Sequence, residues 1–207
     1  MKVLLLNGSP RANGNTALAL AEMCKVFAEN GIQTEVVQVG NKPVRGCIAC
    51  GKCAETGKCV FDDLVNETAP KFAECDGLVI ASPVYFASAN GTLTAFLDRL
   101  FYSSHSDKRM KVGASVAVAR RAGTTATFDQ LNKYFTICGM PVASANYWNE
   151  LHGRAPGEAE ADAEGMQTMR VLARNMTFLM KSIALGKERF GLPEEENRVF
   201  TNFIRRT

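Results

Sequence analysis

The sequence lacks long hydrophobic runs, and it has no large excess of charge of either sign. Its first apolar run ends at Leu6, which is too short for a signal-peptide core or a membrane-spanning helix. The net charge is only +3, and the basic residues do not form the long runs that are typical of nucleic-acid binders. We therefore expect a cytoplasmic protein that binds neither nucleic acid nor membranes.

What the sequence contains is typical of one α/β domain. A chain of 207 residues can bury a substantial core, and its 46% hydrophobic and 22% charged residues are ordinary proportions. The alternating pattern indicates a domain over residues 1–187. Residues 188–207 form an apolar C-terminal tail, and we expect it to pack on the domain or on a partner subunit. A homodimer or homotetramer follows from the second arrangement.

Strand-like and helix-like segments alternate along the domain. Five such units predict a parallel sheet with helices on both faces, in flavodoxin-like order 2-1-3-4-5 or in a Rossmann-like order. Ligands of such sheets bind beyond the carboxyl ends of the strands, so the loops after strands one, three and four are candidate sites. The predicted strands are 2–6, 34–39, 78–82, 112–119 and 141–147, and the predicted helices are 15–30, 63–74, 91–102, 124–138 and 165–185.

The first candidate loop has the composition of an anion site. Residues 8–16 read Gly-Ser-Pro-Arg-Ala-Asn-Gly-Asn-Thr and lead into a helix N-terminus, where backbone N–H groups and the helix dipole attract anions. Ser9, Asn15 and Thr16 add neutral donors, and Arg11 adds a charge. Neither a Walker motif nor a dinucleotide fingerprint is present, which favours a phosphomonoester. The alternative is an ordinary turn before a helix that Asn15 or Thr16 caps.

The loop after the third strand places two aromatic residues together. Residues 82–91 read Ser-Pro-Val-Tyr-Phe-Ala-Ser-Ala-Asn-Gly. Tyr85 and Phe86 beside Pro83 and small residues suit a flat ring held against the backbone. The alternative is that the two aromatic side chains pack against a helix.

Four of the seven cysteines lie in one glycine-containing loop, with the spacing Cys-x2-Cys-x2-Cys-x5-Cys over residues 47–59. Four thiolates at this spacing could surround a [4Fe-4S] cluster. Zinc fits less well because its structural sites usually have two separated pairs of ligands. Free or redox-active thiols are the third interpretation. The candidate metal ligands are Cys47, Cys50, Cys53 and Cys59.

Together these segments resemble a known family. Residues 8–16, Ser-Pro-Val-Tyr-Phe at 82–86 and Phe-Leu-Asp-Arg-Leu at 96–100 are similar to the NADPH-dependent FMN reductase branch of the flavodoxin-like flavoproteins. The resemblance extends from residue 2 to about 150. It implies an FMN whose phosphate lies at the first loop and whose ring lies at the third, near the loop after strand four. The implied cofactor-binding residues are Ser9, Arg11, Asn13, Asn15, Thr16, Pro83, Val84, Tyr85, Phe86, Ser88, Ala119, Arg120 and Gly123.

The cysteine spacing resembles the compact motif of the iron-sulfur flavoproteins, a subgroup of the same fold. By that resemblance the four cysteines would ligate a [4Fe-4S] cluster that passes electrons to FMN. Related flavoproteins without a cluster carry partial cysteine sets in this loop, so all three interpretations of the thiols stay open.

The expected function is that of an FMN-dependent oxidoreductase. NAD(P)H or a donor protein would reduce the flavin, which would then reduce a small acceptor of the quinone or flavin type. Tyr85 and His152 are candidate acid–base groups. The alternative is an electron carrier with FMN and a cluster, which exchanges electrons with a protein such as ferredoxin and has no dedicated small substrate.

Overall fold

Strands and helices alternate in the computed structural model, which describes residues 1–197 and 199–201. The strands are β1 (Lys2–Asn7), β2 (Gln33–Gln38), β3 (Gly77–Tyr85), β4 (Ser88–Ala89), β5 (Val112–Ala119) and β6 (Glu150–His152). The helices are α1 (Asn15–Glu29), α2 (Lys52–Thr56), α3 (Leu64–Glu74), α4 (Gly91–Ser103), α5 (Thr124–Thr136) and α6 (Ala163–Phe190), with a 3₁₀ turn at Glu158–Ala161.

The sheet confirms the α/β class and differs from the predicted strand order at its edge, where another segment forms the last strand. The parallel strands follow the order β2-β1-β3-β5-β6, and the two-residue β4 pairs with β3 in antiparallel orientation. The predicted fifth strand, 141–147, forms only a bridge between Val142 and Gly113. The edge position belongs instead to β6, where Leu151 is fully buried. The earlier segment begins with Pro141 and contains two alanines and Asn146, residue types that are depleted in strands.

Alternation along β1 places apolar side chains on both faces of the sheet. Val3 and Leu5 point to the layer formed with α1 and α6, and Leu4 and Leu6 point to the layer formed with α3, α4 and α5. A sheet that is buried on both faces leaves its strand ends and the following loops as the accessible places for a ligand.

The sequence predicts a capping residue for two helices, Asn15 or Thr16 for the first and Asp63 for the second, and the first of these predictions was wrong. Asp63 caps α3, where its Oδ1 accepts a hydrogen bond from Val65 N at 3.1 Å. By contrast, the N-cap of α1 is Gly14 rather than Asn15 or Thr16. The Asn15 side chain is used elsewhere, in contacts with the segment after β6.

The C-terminal helix is longer than predicted. α6 continues to Phe190, so the first three residues of the predicted tail are helical. Beyond it, Glu195 forms an ion pair with Arg109 at 3.0 Å, and Phe200 is 81% exposed. Two apolar residues that we assigned to the tail, Phe203 and Ile204, lie outside the described residues. Within the described part of the chain, no helix is long and apolar enough to cross a membrane.

Candidate functional site

Close contacts between glycine backbones and neighbouring loops bring the carboxyl-end loops together. Gly8 N donates to Ala81 O at 2.8 Å, which joins the loop after β1 to β3. A Cβ on Gly123 would lie 2.8 Å from the Ala87 Cα, so the loop after β5 touches the turn between β3 and β4. A Cβ on Gly153 would lie 2.7 Å from Asn15 Nδ2. The loops after β1, β3, β5 and β6 therefore form one continuous rim.

The first loop is fixed from behind by two side chains. Ser9 N donates to Asn7 Oδ1 at 3.0 Å, and Gln38 Nε2 donates to Ser9 O at 2.5 Å. Asn7 and Gln38 are themselves joined at 2.8 Å. The Ser9 hydroxyl accepts from Arg11 N at 3.1 Å, which tightens the turn at its start. The loop thus has a defined shape before any ligand is bound.

The first turn of α1 meets the electrostatic requirements for an anion. Among the described residues it has no side-chain cap and no acidic residue, so its backbone N–H groups keep their positive partial charge. Arg11 and Asn13 are exposed beside it, whereas Ser9 and Thr16 are buried. The residues present fit the phosphate of FMN.

The Asn15 side chain contacts the segment after β6. Its Nδ2 donates to Ala155 O at 3.0 Å, and its Oδ1 accepts from Gly157 N at 3.0 Å. The side chain therefore joins the start of α1 to the segment after β6. Its role toward a phosphate stays a prediction.

The turn after β3 presents an aromatic side chain to solvent. Val84 pairs with Ala89 and Tyr85 with Ser88, which leaves Phe86 and Ala87 as a two-residue hairpin turn. Both turn residues have positive φ, 51° and 57°, the conformation of a type I′ turn. The Phe86 side chain is fully exposed, so it does not pack against a helix as the alternative interpretation required.

The hairpin is held against α5. Gln130 Oε1 accepts hydrogen bonds from both Ser88 Oγ and Ala89 N, each at 2.9 Å. Pro83 and Val84 are half-buried, and Tyr85 is 46% exposed. A phenylalanine in the left-handed region is strained, and such strain is often found at ligand sites. The hairpin therefore offers a flat, preformed contact surface for a ring.

The loops after β5 and β6 complete the rim. Gly123 is the N-cap of α5, with φ of 92°, and Arg120 is exposed just after the buried Ala119. Ala119 pairs with His152 in the sheet. His152 N donates to Asp162 Oδ2 at 2.7 Å, and the imidazole Nδ1 lies 3.5 Å from the same oxygen. His152 thus borders the predicted ring-binding loops, with a carboxylate behind it.

Sequence reasoning missed Gln130 and Asp162, the two side chains that support the rim from behind. Neither belongs to a motif, and each is placed only by the packing of α5 or α6 on the sheet. It also left Arg99 without a role, although the residue lies in the quoted segment 96–100. Asp98 and Arg99 are neighbouring charges in that segment, and no local pattern distinguishes the buried Arg99 from the exposed Asp98.

The four clustered cysteines line a separate cleft of about 1100 Å³ beside α4. Cys47 and Cys50 are exposed, Cys59 is partly buried and Cys53 is buried on α2. In the part of the chain that the structure describes, no three Cys, His, Asp or Glu side chains are close enough together to hold a metal ion. The thiols share one cleft, but this conformation does not gather them around a point.

Arg99 connects the cleft to the body of the protein. Its side chain is 1% exposed and binds both carboxylate oxygens of Asp63, at 2.7 and 2.9 Å, while its Nε donates to Cys59 Sγ at 3.2 Å. Burial acts to lower the pKa of Arg99, but the hydrogen bonds to Asp63 and Cys59 raise it above its ordinary value. The guanidinium therefore stays charged.

A parallel α/β sheet with an anion-binding helix start after β1 and an exposed aromatic turn after β3 defines a flavodoxin-like flavoprotein. Residues 1–153 match the family model described as NADPH-dependent FMN reductase. The chain belongs to this family of FMN-binding oxidoreductases, as the resemblance of its motifs predicted.

Several relatives of this chain are iron-sulfur flavoproteins. One from Methanocaldococcus jannaschii is 37% identical over 191 residues, covering 88% of this chain and 99% of that protein. Another from Methanosarcina thermophila is 31% identical over 193 residues, covering 91% of this chain and all of that protein.

Solved structures agree on the fold. RosB with a bound formylriboflavin phosphate intermediate has a TM-score of 0.70 at 18% identity, covering all of this chain and 95% of that one. A flavone reductase has a TM-score of 0.67 at 18% identity, covering 89% of this chain and 64% of that one. At such identities the likeness extends to the fold alone.

Proposed function

We propose that this protein holds FMN at the carboxyl edge of its sheet and uses it to pass electrons from NAD(P)H or a donor protein to a small acceptor of the quinone or flavin type. One observation carries the proposal. The anion-binding loop after β1 and the exposed aromatic hairpin after β3 belong to one rim, because Gly8 N bonds to Ala81 O, four residues before β3 ends at Tyr85. In this proposal, adjacent loops therefore bind the phosphate and the flat ring of one cofactor.

Each loop has its own task in this proposal. The first turn of α1 and the Arg11 side chain bind the phosphate, because both carry positive charge at the same end of the helix. Pro83, Val84 and the Tyr85–Phe86 pair hold the ring and exclude water from one of its faces. FMN would supply the hydride and single-electron chemistry, which protein side chains cannot perform.

The loops after β5 and β6 stabilise the negative charge that develops on the ring and supply the proton donor. Arg120 and the backbone N–H groups near Gly123 stabilise negative charge at the ring edge. His152 exchanges a proton with solvent or acceptor, since its side chain is 40% exposed on the rim and its Nδ1 lies 3.5 Å from Asp162 Oδ2. Tyr85 is the second proton donor, because its side chain is 46% exposed on the same rim.

A second candidate function adds a [4Fe-4S] cluster bound by Cys47, Cys50, Cys53 and Cys59. Two observations favour it. The four thiols line one cleft, and the relatives from Methanocaldococcus jannaschii and Methanosarcina thermophila are iron-sulfur flavoproteins. Binding would require the exposed part of the loop to move toward Cys53 and Cys59. Ala49 and Gly51, both with positive φ, provide the turns along that part. The chain would then accept electrons from a protein such as ferredoxin.

An anaerobic visible spectrum with iron and sulfide assays tests both functions. We expect stoichiometric FMN, and for the second function about four iron and four sulfide per chain. Adding NADPH should bleach the flavin; no bleaching, with rapid reduction by ferredoxin, would favour the carrier. Protein that takes up no FMN would contradict the whole proposal. Protein with FMN but no iron after anaerobic reconstitution would contradict the cluster alone.

A further inference from the structure

The buried Arg99 side chain makes hydrogen bonds that have no role in the proposed FMN site. A charged guanidinium inside a protein is costly unless its donors are paired. Asp63 accepts from both terminal nitrogens, and this fork joins the N-cap of α3 to α4. The same nitrogens also donate to Arg45 O at 3.3 Å and Phe61 O at 3.4 Å. The Nε–H points the other way, to Cys59 Sγ at 3.2 Å. The ion pair alone explains the packing of the two helices but not the contact with sulfur.

Cys59 is held at its backbone as well as at its sulfur. Its N–H donates to Asn66 Oδ1 at 2.9 Å, and its carbonyl accepts from Asn66 Nδ2 at 2.9 Å. Two neighbouring side chains thus fix this one cysteine at the wall of the cleft, whereas Cys47 and Cys50 are exposed. The rigid end of the cysteine loop is therefore its Cys59 end.

We propose that Arg99 is a positioning residue for the cluster, holding Cys59 Sγ at the cleft wall and remaining its N–H donor when iron is bound. This inference rests on the cluster proposed above. Hydrogen bonds to cysteine sulfur and nearby charge set the reduction potential of iron-sulfur clusters. A cationic donor stabilises the more negative, reduced cluster, so Arg99 raises its reduction potential.

Three variants separate the contact with sulfur from charge and from packing. Arg99→Lys keeps the charge but cannot offer a fork to Asp63 and a third donor to Cys59. Arg45→Lys is the matched control, because Arg45 also lies 4.9 Å from the Phe61 ring centroid but is exposed. Asp63→Asn keeps a capping oxygen for α3 but removes the anion that neutralises Arg99.

The measurement is a redox titration of the anaerobically reconstituted, FMN-containing proteins, followed by electron paramagnetic resonance. We expect R45K to keep the wild-type midpoint and D63N to move it to a higher potential, because the Arg99 charge beside Cys59 then lacks its counter-ion. The midpoint of R99K should be lower by about 59 mV for a one-electron couple. At the wild-type midpoint, its oxidised-to-reduced ratio should therefore be roughly tenfold higher. Equal midpoints for R99K and wild type would overturn the role of Arg99 and leave the cluster standing. A D63N midpoint that falls as far as that of R99K would overturn it too, since disturbed packing would then be the cause.

The wild-type protein gives a second test if R99K does not fold. With ¹⁵N-arginine incorporated, pulsed electron paramagnetic resonance on the reduced cluster should detect an arginine nitrogen, and R45K should retain the signal. A cluster without that coupling, or its loss in R45K, would overturn the inference. Wild-type protein that takes up no cluster would overturn the second candidate function, and this inference with it.

Discussion

Gly123 and Ala87 lie so close together that a Cβ on Gly123 would be only 2.8 Å from the Ala87 Cα. This approach joins the loop after β5 to the aromatic hairpin after β3. Both residues have positive φ and lie in separate turns. The contact is therefore made between the backbones of these two turns. The shape of the proposed ring site depends on this contact.

We expect Gly123→Ala to weaken FMN binding and lower the melting temperature. The new methyl group would collide with Ala87 and with Val84, and alanine is also strained at φ of 92°. Gly157→Ala is the matched control, because Gly157 has φ of 91° and a Cβ there would meet none of the described residues within 4 Å. Strain alone costs about 1 kcal/mol. If both variants bind FMN equally well, the contact does not shape the ring site.

The charge of Arg11 should matter for the phosphate. We expect Arg11→Gln to weaken FMN binding about tenfold, since a charged hydrogen bond contributes about 1.5–3 kcal/mol and Arg11 is exposed. Raising the salt concentration should weaken binding to wild type more than to the variant. Lys25→Gln on α1, where Lys25 pairs with Glu22, should leave the affinity unchanged. Titration of flavin fluorescence measures all three affinities, and an unchanged affinity for R11Q would exclude Arg11 from the site.

Much of this architecture follows from periodicity and local signals. The buried run at the start of the chain predicted β1, and Asp63 predicted the start of α3. The edge strand was misplaced because residues 141–147 and 150–152 are both short, and only long-range packing of Leu151 decides between them. Gly14 replaced Asn15 as the cap because the Asn15 amide binds the backbone of the segment after β6, a contact across 140 positions that no local pattern encodes.

The candidate site could likewise be predicted only in part, because long-range contacts shape it. Loops that follow parallel strands could be located from the order of elements alone, which placed the anion loop and the aromatic turn. Supporting side chains such as Gln130 and Asp162 come from distant helices, so their contacts arise only when the chain folds. The buried state of Arg99 was likewise invisible locally, because its partner Asp63 is 36 positions away.

Stability at alkaline pH should depend on Cys75. Burial raises the pKa of this thiol to about 11, and its Sγ donates to Phe72 O at 3.3 Å. An unfolded thiol ionises near a pKa of about 8.5, so the unfolded state binds fewer protons between these two values. Stability is therefore fully present below about pH 8.5 and falls by on the order of 3 kcal/mol as pH rises through about 11.

Urea unfolding of reduced protein at pH 8 and at pH 10.5 measures this effect. Cys75→Ala removes the titrating group, so its stability should change less between the two pH values than that of wild type. Because the alanine also leaves a small void, only the difference between pH values is compared within each protein. An equal loss in both proteins would show that other groups cause the alkaline effect.

The binding of FMN and riboflavin to the flavin-free protein tests the central claim most directly. The two ligands share the ring and differ in the phosphate, which we assign to the first turn of α1. We predict one FMN per chain and at least roughly tenfold weaker binding of riboflavin, with R11Q reducing the difference. Equal affinity for the two ligands, or no binding of either, would contradict the account.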